Sequence, residues 1–442
     1  MGVIAAYRAI ITGDYLGEGH VTLGFCQQAL AHLSAQDLLA RAQVAYARTL
    51  ASHAFGDIVA AIQSAREATA LAQAAGDTSS GILYLCRTAY SLLVHGKLHE
   101  AVQVAQQAAL LGTTPVGLPH AMLCWAYIFQ ADVLREWNRL DEALELALQA
   151  VRLSEQTETV MGLDVGYTVL MSVYLARGEL EAAGSAFQQA EEALAQTYSP
   201  YRCDAYLIVD WVRFWMASGA VEHATLWAQE LAQQDSVSSP LARERQDVAR
   251  ARMLLAQKKP TEALSLLEPL QVGAKKQERF SHVIEMYVLQ ALAHHLRGEE
   301  QEALTILAQV VRLAEPEYYI RHFVDEGPQV AVLLTRLREQ QRRRGPTPYL
   351  DALLAAFRQD STAHARAGQR TIAQPLLNPL SERERDVLPL LARGDSNPEI
   401  AEVLVLSVDT VKRHVYNIFS KLGVKNRVQA VTRARALGLL SE

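Results

Sequence analysis

The residues best suited to do chemistry lie near the end of the chain, in residues 407–422, SVDTVKRHVYNIFSKL. Lysine and arginine, here Lys412 and Arg413, donate hydrogen bonds of the kind that suit guanine acceptors or phosphate oxygens. Serine and threonine hydroxyls and backbone amides at helix starts hold phosphates. On a 3.6-residue helix Val411, Val415, Ile418 and Leu422 fall on one apolar stripe. The opposite side presents Asp409, Arg413, Tyr416 and Ser420, flanked by Lys412 and Asn417. Residues 410–442 hold seven basic side chains and one acidic, whereas residues 380–409 hold three basic and seven acidic. The whole chain carries a net charge of −6, so any nucleic-acid site has to be local, and this segregation supplies one.

Four short helices are expected to position those residues. Ser381 and Glu384 have the spacing of a capping box for a first helix that ends before Gly394. Ser396 or Asn397 starts a second, with Pro398 and Glu399 in its first turn. Ser407 starts the third, which stops at Gly423, and Asn426 the fourth, which stops at Gly438. The second helix, a tight turn at Val405 and Leu406, and the third read as a helix-turn-helix whose third helix enters the major groove. Pro389 interrupts the first helix and removes a backbone donor, a cost of about 3 kcal/mol unless a bend relieves it. His414 lies toward the inner side and reads as a packed histidine.

The stretch from LSERERDVLPLLARG to VTRARALGLL resembles the LuxR-type (FixJ/NarL) DNA-binding domain over about sixty residues and several separate motifs. By that resemblance Lys412, Arg413 and Tyr416 fall where the family reads bases. Asn397, Ser407, Thr410, Lys421 and Lys425 fall near the DNA backbone, and Val431 and Ala434 lie on a helix through which many members pair. The resemblance implies double-stranded promoter DNA as a partner, a homodimer on that DNA and RNA polymerase as a further contact.

The preceding part of the chain repeats itself. A turn residue is followed five places later by alanine and twelve places later by alanine again, at Gly56, Gly96, Asn138 and Gly178. Gly219, Lys258 and Gly298 continue the series with Leu231, Leu270 and Val310 in the last place, and the turns stand 40, 42, 40, 41, 39 and 40 residues apart. Glycine or asparagine tolerates the left-handed conformation that ends a helix. Alanines seven residues apart keep one face of the next helix small enough for a close crossing. These are helix hairpins resembling the tetratricopeptide type, lengthened from ~34 residues to about 40. With an irregular first copy at Gly13 or Gly17 they make about eight, stacked in an all-α superhelix with a long concave face. Trp125, Trp137, Trp211, Trp215 and Trp227 either line that face or pack in the core. The first helix starts close to Met1 without a polar capping repeat, which suggests a longer parent chain or a covering partner.

The expected organisation is a solenoid over residues 1–338, a short helix and flexible linker over 339–378, and the terminal domain over 379–442. A helix is expected from about Val330 to Arg338 and another near Tyr349 to Arg358, with the arginines at 342–344 forming a cationic helix end. The hairpins, the segment YYIRHFVDEGPQVAVLL and the terminal domain together resemble the C-terminal half of MalT-like regulators. In that family an ATPase module precedes the solenoid, but no G-x-x-x-x-G-K-[ST] loop occurs here, so ATP binding is not carried over.

No metalloprotease, nucleophile-elbow or dinucleotide motif is present, and neither a cofactor nor a metal is expected. Cys26, Cys86, Cys124 and Cys203 fit no zinc spacing and read as buried hydrophobes in a reducing, cytoplasmic setting. His95 and His99 straddle the Gly96 turn and read as surface histidines. No apolar run reaches membrane-spanning length. The sequence therefore reads as a transcription regulator whose solenoid receives a small molecule, peptide or protein. The alternative is an interaction scaffold with an accessory DNA-tethering domain.

Overall fold

The computed structural model describes residues 1–112, 122–157, 162–196, 208–220, 224, 240–341, 347–370, 380–404, 406–422, 427, 430, 431, 434, 439 and 440, excluding among others the side chains of Arg413, Tyr416 and residues 419–422. Within them every regular element is a helix. Six hairpins have both helices described: Gly2–Ile11 with Gly19–Leu30, Leu38–Phe55 with Ile58–Ala74, Thr78–His95 with Leu98–Gly112, Leu123–Glu136 with Leu140–Gln156, Leu163–Ala176 with Leu180–Gln196, and Pro240–Ala256 with Pro260–Lys276. Phe280–Leu296 with Glu300–Ala314 makes a seventh, and Ile208–Ala217 opens another around the Gly219 turn.

The turns behave as the repeat requires. Asn138 and Lys258 both take φ of 59°, the left-handed region that glycine fills at the other turns. The +5 alanines, among them Ala61, Ala101, Ala143 and Ala263, are completely or almost completely buried. The stripe is fuller than expected, because +9 is buried as well, at Ala65, Ala105, Ala147 and Leu267. Leu270 is only half-buried, and Leu231 lies outside the described residues. The irregular first hairpin uses Gly17 as its left-handed residue, after a π-helical turn at Thr12–Leu16. Thr22 replaces alanine at +5 there, and its buried hydroxyl is satisfied by the Thr12 hydroxyl at 3.0 Å. Trp211 and Trp215 sit in the core around Phe187, and Trp125 and Trp137 pack half-buried against the same core, so the four described tryptophans are packing residues; Trp227 and Cys203 lie outside the described residues. Cys26, Cys86 and Cys124 are buried and free.

The long open concave face is where the structure departs from expectation. The superhelix winds until its later hairpins meet its early ones. Arg279 Nη1 donates to the Gly56 carbonyl at 3.0 Å, and Gln277 Nε2 to the Phe55 carbonyl at 3.1 Å. His95 Nδ1 reaches the Glu278 carbonyl at 2.8 Å, and the Trp137 indole donates to the Glu317 carbonyl at 2.9 Å. His99 is exposed, as expected of a surface histidine, with its ring against Trp137, whereas His95 is half-buried in the closure. The His322 ring and Glu136 Oε2 lie 2.7 Å apart, and Arg135 donates to Asp325 at 2.8 Å.

Charges fill the interior this creates. Arg252 bonds Glu285 at 2.7 Å and Glu326 at 3.0 Å, while Arg213 bonds Glu326 and Arg245 bonds Glu285. Glu244 is held by Arg279 and by His282, the latter at 2.7 Å. Burial opposes its ionisation, but these two partners outweigh it and pull the carboxyl down to about 2.

The core does not stop at residue 338. It continues through helix Pro328–Gln341 and into the next, burying Leu337, Tyr349, Leu353 and Phe357. The helix expected to end near Arg358 runs from Pro348 to Arg370, so the first part of the expected linker is helical. Arg342, Arg343 and Arg344 lie outside the described residues.

Candidate nucleic-acid interface

The terminal domain is built on Glu382–Arg393, Asn397–Leu404 and Val408–Leu422, with parts of a fourth helix at Arg427, Ala430, Val431 and Ala434. The first start signal is the capping box expected: Glu384 N donates to Ser381 Oγ, and Ser381 N to Glu384 Oε2 at 2.8 Å. Gly394 ends that helix in the left-handed region. The helix passes through Pro389, which is exposed, so the carbonyl deprived of its partner lies on the solvent side. At the second start Ser396 is the cap, its amide and hydroxyl both donating to Glu399 Oε2 at 2.6 Å.

Ser407 starts the third helix. Its Oγ accepts from Thr410 N at 3.2 Å and lies 2.7 Å from the Thr410 hydroxyl. Val411 and Ile418 are fully buried, Val415 packs against the same cluster, and the helix lies against both earlier helices. The Leu406 amide bonds the Ala401 carbonyl at 2.9 Å, which closes the turn between the second and third helices. With that edge hidden, Lys412 stands exposed while His414 and Asn417 are half-buried. Arg413, Tyr416 and Lys421 lie on the helix with side chains outside the described set, and Lys425, Asn426, Gly423 and Gly438 lie outside the described residues altogether. Ser407 is exposed, and Asn397 and Thr410 keep partial exposure at the starts of their helices.

Two expectations change. Arg427, counted among the basic residues of the footprint, turns inward: its Nε and Nη2 donate to the Leu391 carbonyl at 3.0 and 2.6 Å. It caps the C-terminal end of the first helix and ties the fourth helix to it. Ala434, expected on a pairing surface, is completely buried in the domain's own core; of that pair only Val431 retains exposed surface. Neither was legible from charge or spacing, because both depend on how the fourth helix folds back.

A capped three-helix unit with a half-hidden third helix, on one chain with a superhelix of helix hairpins, is the architecture of a helix-turn-helix protein with a tetratricopeptide-like solenoid. Residues 378–434 match the bacterial regulatory proteins of the luxR family, and residues 2–340 match the MalT-like TPR region. The second match spans most of the chain, and the chain belongs to that family. The HTH-type transcriptional regulator MalT of Vibrio campbellii (strain ATCC BAA-1116) is 26% identical over 325 residues, covering 70% of this chain and 35% of that protein. The chain thus spans about a third of the length of this relative. Among solved structures, a Rap protein complexed with competence and sporulation factor is similar at a TM-score of 0.52 and 12% identity, over 67% of this chain and 80% of that one. That likeness is one of fold. The apo form of RapI aligns over 71% of this chain and 97% of its own at 10% identity and a TM-score of 0.39. No described helix is long and apolar enough to cross a membrane.

Proposed function

We propose that this chain is the signal-receiving and DNA-binding part of a transcription regulator. Its terminal domain binds promoter DNA through helix Val408–Leu422, with Lys412, Arg413 and Tyr416 toward the bases. Asn397, Ser407, Thr410, Lys421 and Lys425 hold the backbone. One such domain offers few contacts, so two act on adjacent half-sites about one helical turn apart, paired as a homodimer through the surface around Val431. RNA polymerase is the further partner such a complex would present. The solenoid receives the signal, and it acts only by favouring one state of the chain over another.

The observation that carries this reading is the third helix itself: Val411 and Ile418 pin its apolar edge, Lys412 projects outward, and basic residues are concentrated from that point onward. The test is selection of duplexes from a random pool by the full chain, followed by titration of the selected duplex. Lys412→Ala and Arg413→Ala should each cost about 1–3 kcal/mol of discrimination between the selected and a scrambled duplex. Undiminished discrimination in both variants, or no enriched sequence at all, refutes base reading by this helix.

A further inference from the structure

The wound superhelix holds a half-open pocket of about 100 Å³, lined mainly from the first helices of its hairpins. An apolar cavity of about 150 Å³ holds one benzene, so this pocket takes a guest of about that size or less, and any larger guest extends part of itself through the open side. Its walls are of three kinds. Tyr90, Leu93, Val94 and Leu98 form an apolar side. Arg135, Arg213 and Tyr319 form a second, and each keeps a buried donor without a hydrogen-bond partner: Nε of the two arginines and the tyrosine hydroxyl. The other edges of both guanidinium groups are engaged, Arg135 Nη1 with Asp325 at 2.8 Å and Arg213 Nη2 with Glu326 at 3.1 Å. Arg135 Nε lies 3.7 Å from Asp132 Oδ1, beyond hydrogen-bond reach.

A buried donor left without an acceptor costs about 1–3 kcal/mol, and three around one cavity point to an acceptor-rich guest. A bare anion fits poorly, because Asp132, Glu136, Asp210 and Glu285 face the same space against three arginines, Arg135, Arg213 and Arg245. Asp132 and Asp210 form the third wall; Asp210 Oδ1 accepts from Arg213 Nη1 at 3.3 Å, and 24% and 17% of the two side chains are still exposed. A guest that satisfies all three walls carries a carboxylate, an ammonium and a small apolar group.

We infer that the superhelix interior is a binding site for a small zwitterion of the amino-acid class. Its carboxylate lies toward Arg135, Arg213 and Tyr319, its ammonium toward Asp132 and Asp210, and its side chain against Tyr90 and Leu98. The inference gives a chemical class to the signal in the proposed function and rests on the sensing half of that reading. It is tested without DNA, so failure of this site and failure of DNA binding are separate results.

The experiment is calorimetric and thermal-shift titration of the full chain with L-alanine, L-valine and L-leucine. The controls are isovalerate, which is valine without its amine, and isobutylamine, which is valine without its carboxylate. At least one amino acid should bind saturably and raise the unfolding midpoint by about 2 °C or more, with both truncated analogues inert. Tyr319→Phe removes only the unpartnered hydroxyl, leaving the aromatic bulk and the backbone carbonyl that Tyr349 bonds. It should weaken binding about tenfold. Asp210→Asn should weaken binding of the amino acid as well. Silence from all three amino acids, an equal response to either truncated analogue, or an unchanged affinity in both variants overturns the inference.

Discussion

In the solenoid the residues that touch between helices are largely alanines, and the polar groups enclosed by the winding are full charges: Arg252 with Glu285 and Glu326, and Arg279 with Glu244. In the terminal domain the touching residues are mostly branched and larger, Val387, Leu391, Ile400, Val411 and Ile418, and the enclosed polar groups are met locally, the Leu391 carbonyl by Arg427 and the Glu384 carboxylate by the Ser381 amide. The difference is one of range. Small residues let neighbouring hairpins approach anywhere along the superhelix, so neighbour packing alone does not say where the winding should stop. Buried ion pairs gain little net stability but are costly to leave unpaired, and that makes them good at fixing one register. The terminal domain, too small for such a device, depends on its caps and a compact apolar centre.

All five tryptophans lie at or before residue 227, so tryptophan fluorescence reports on the solenoid alone, while amide exchange reports on both regions. Four changes separate the two regions. Arg252→Ala removes one arginine from each of two buried acids, leaving Glu285 to Arg245 and Glu326 to Arg213, and should cost the solenoid about 3 kcal/mol in urea unfolding followed by tryptophan emission, with terminal-domain exchange unchanged. Acid comes next. Glu244 is held at about 2 in the folded chain against an ordinary 4.5, so its stabilisation is complete above pH 4.5 and fades as pH falls toward 2. The tryptophan-detected unfolding midpoint should drop through that window, and Glu244→Gln, less stable at neutral pH, should show a flatter profile.

A smaller effect tests the closure by itself. Gly96 and Gly298 share positive φ, 87° and 80°, but a Cβ on Gly96 would stand 3.0 Å from Phe280 Cβ and 3.1 Å from the Ser281 amide nitrogen, whereas Gly298 faces open space. Gly298→Ala should cost only its backbone strain, and Gly96→Ala about 1 kcal/mol more. Equal losses would mean that the turn at Gly96 is not pressed against the later hairpins. Last, Ser381→Ala removes half of the capping box and should cost about 1 kcal/mol, visible in exchange of the terminal domain and silent in tryptophan emission.

What the sequence revealed divides along the same line of range. The turn at Asn138 with Ala143 and Ala150 behind it is a local pattern, and so is Ser381 with Glu384; both are legible because every participant lies within a few turns of helix. The closure is not, since Arg279 meets Gly56 across 223 positions and His95 meets Glu278 across 183, with no periodicity to link them. Arg427 shows the same limit on a smaller scale: its charge suggested a ligand outside the domain, and only the fold shows it turned toward Leu391, 36 positions away. Thr22 stands where the repeat carries alanine, and its partner Thr12, ten positions earlier, is one that the repeat pattern does not supply. The helix beyond Arg358 was missed because residues 359–370 have no apolar rhythm, although their alanines, arginines and glutamines favour a helix.

That last helix has a mechanical consequence. Its root is gripped from Tyr349 to Phe357 by the core and as far as Asp360 by Arg321, and ten further residues lengthen it by about 15 Å to Arg370. A rod clamped at one end works as a lever: a tilt too small to disturb packing at Phe357 becomes a sizeable swing at the tip. Motion in the last hairpins would thus reach the following segment enlarged, with no need for that segment to touch whatever set it moving.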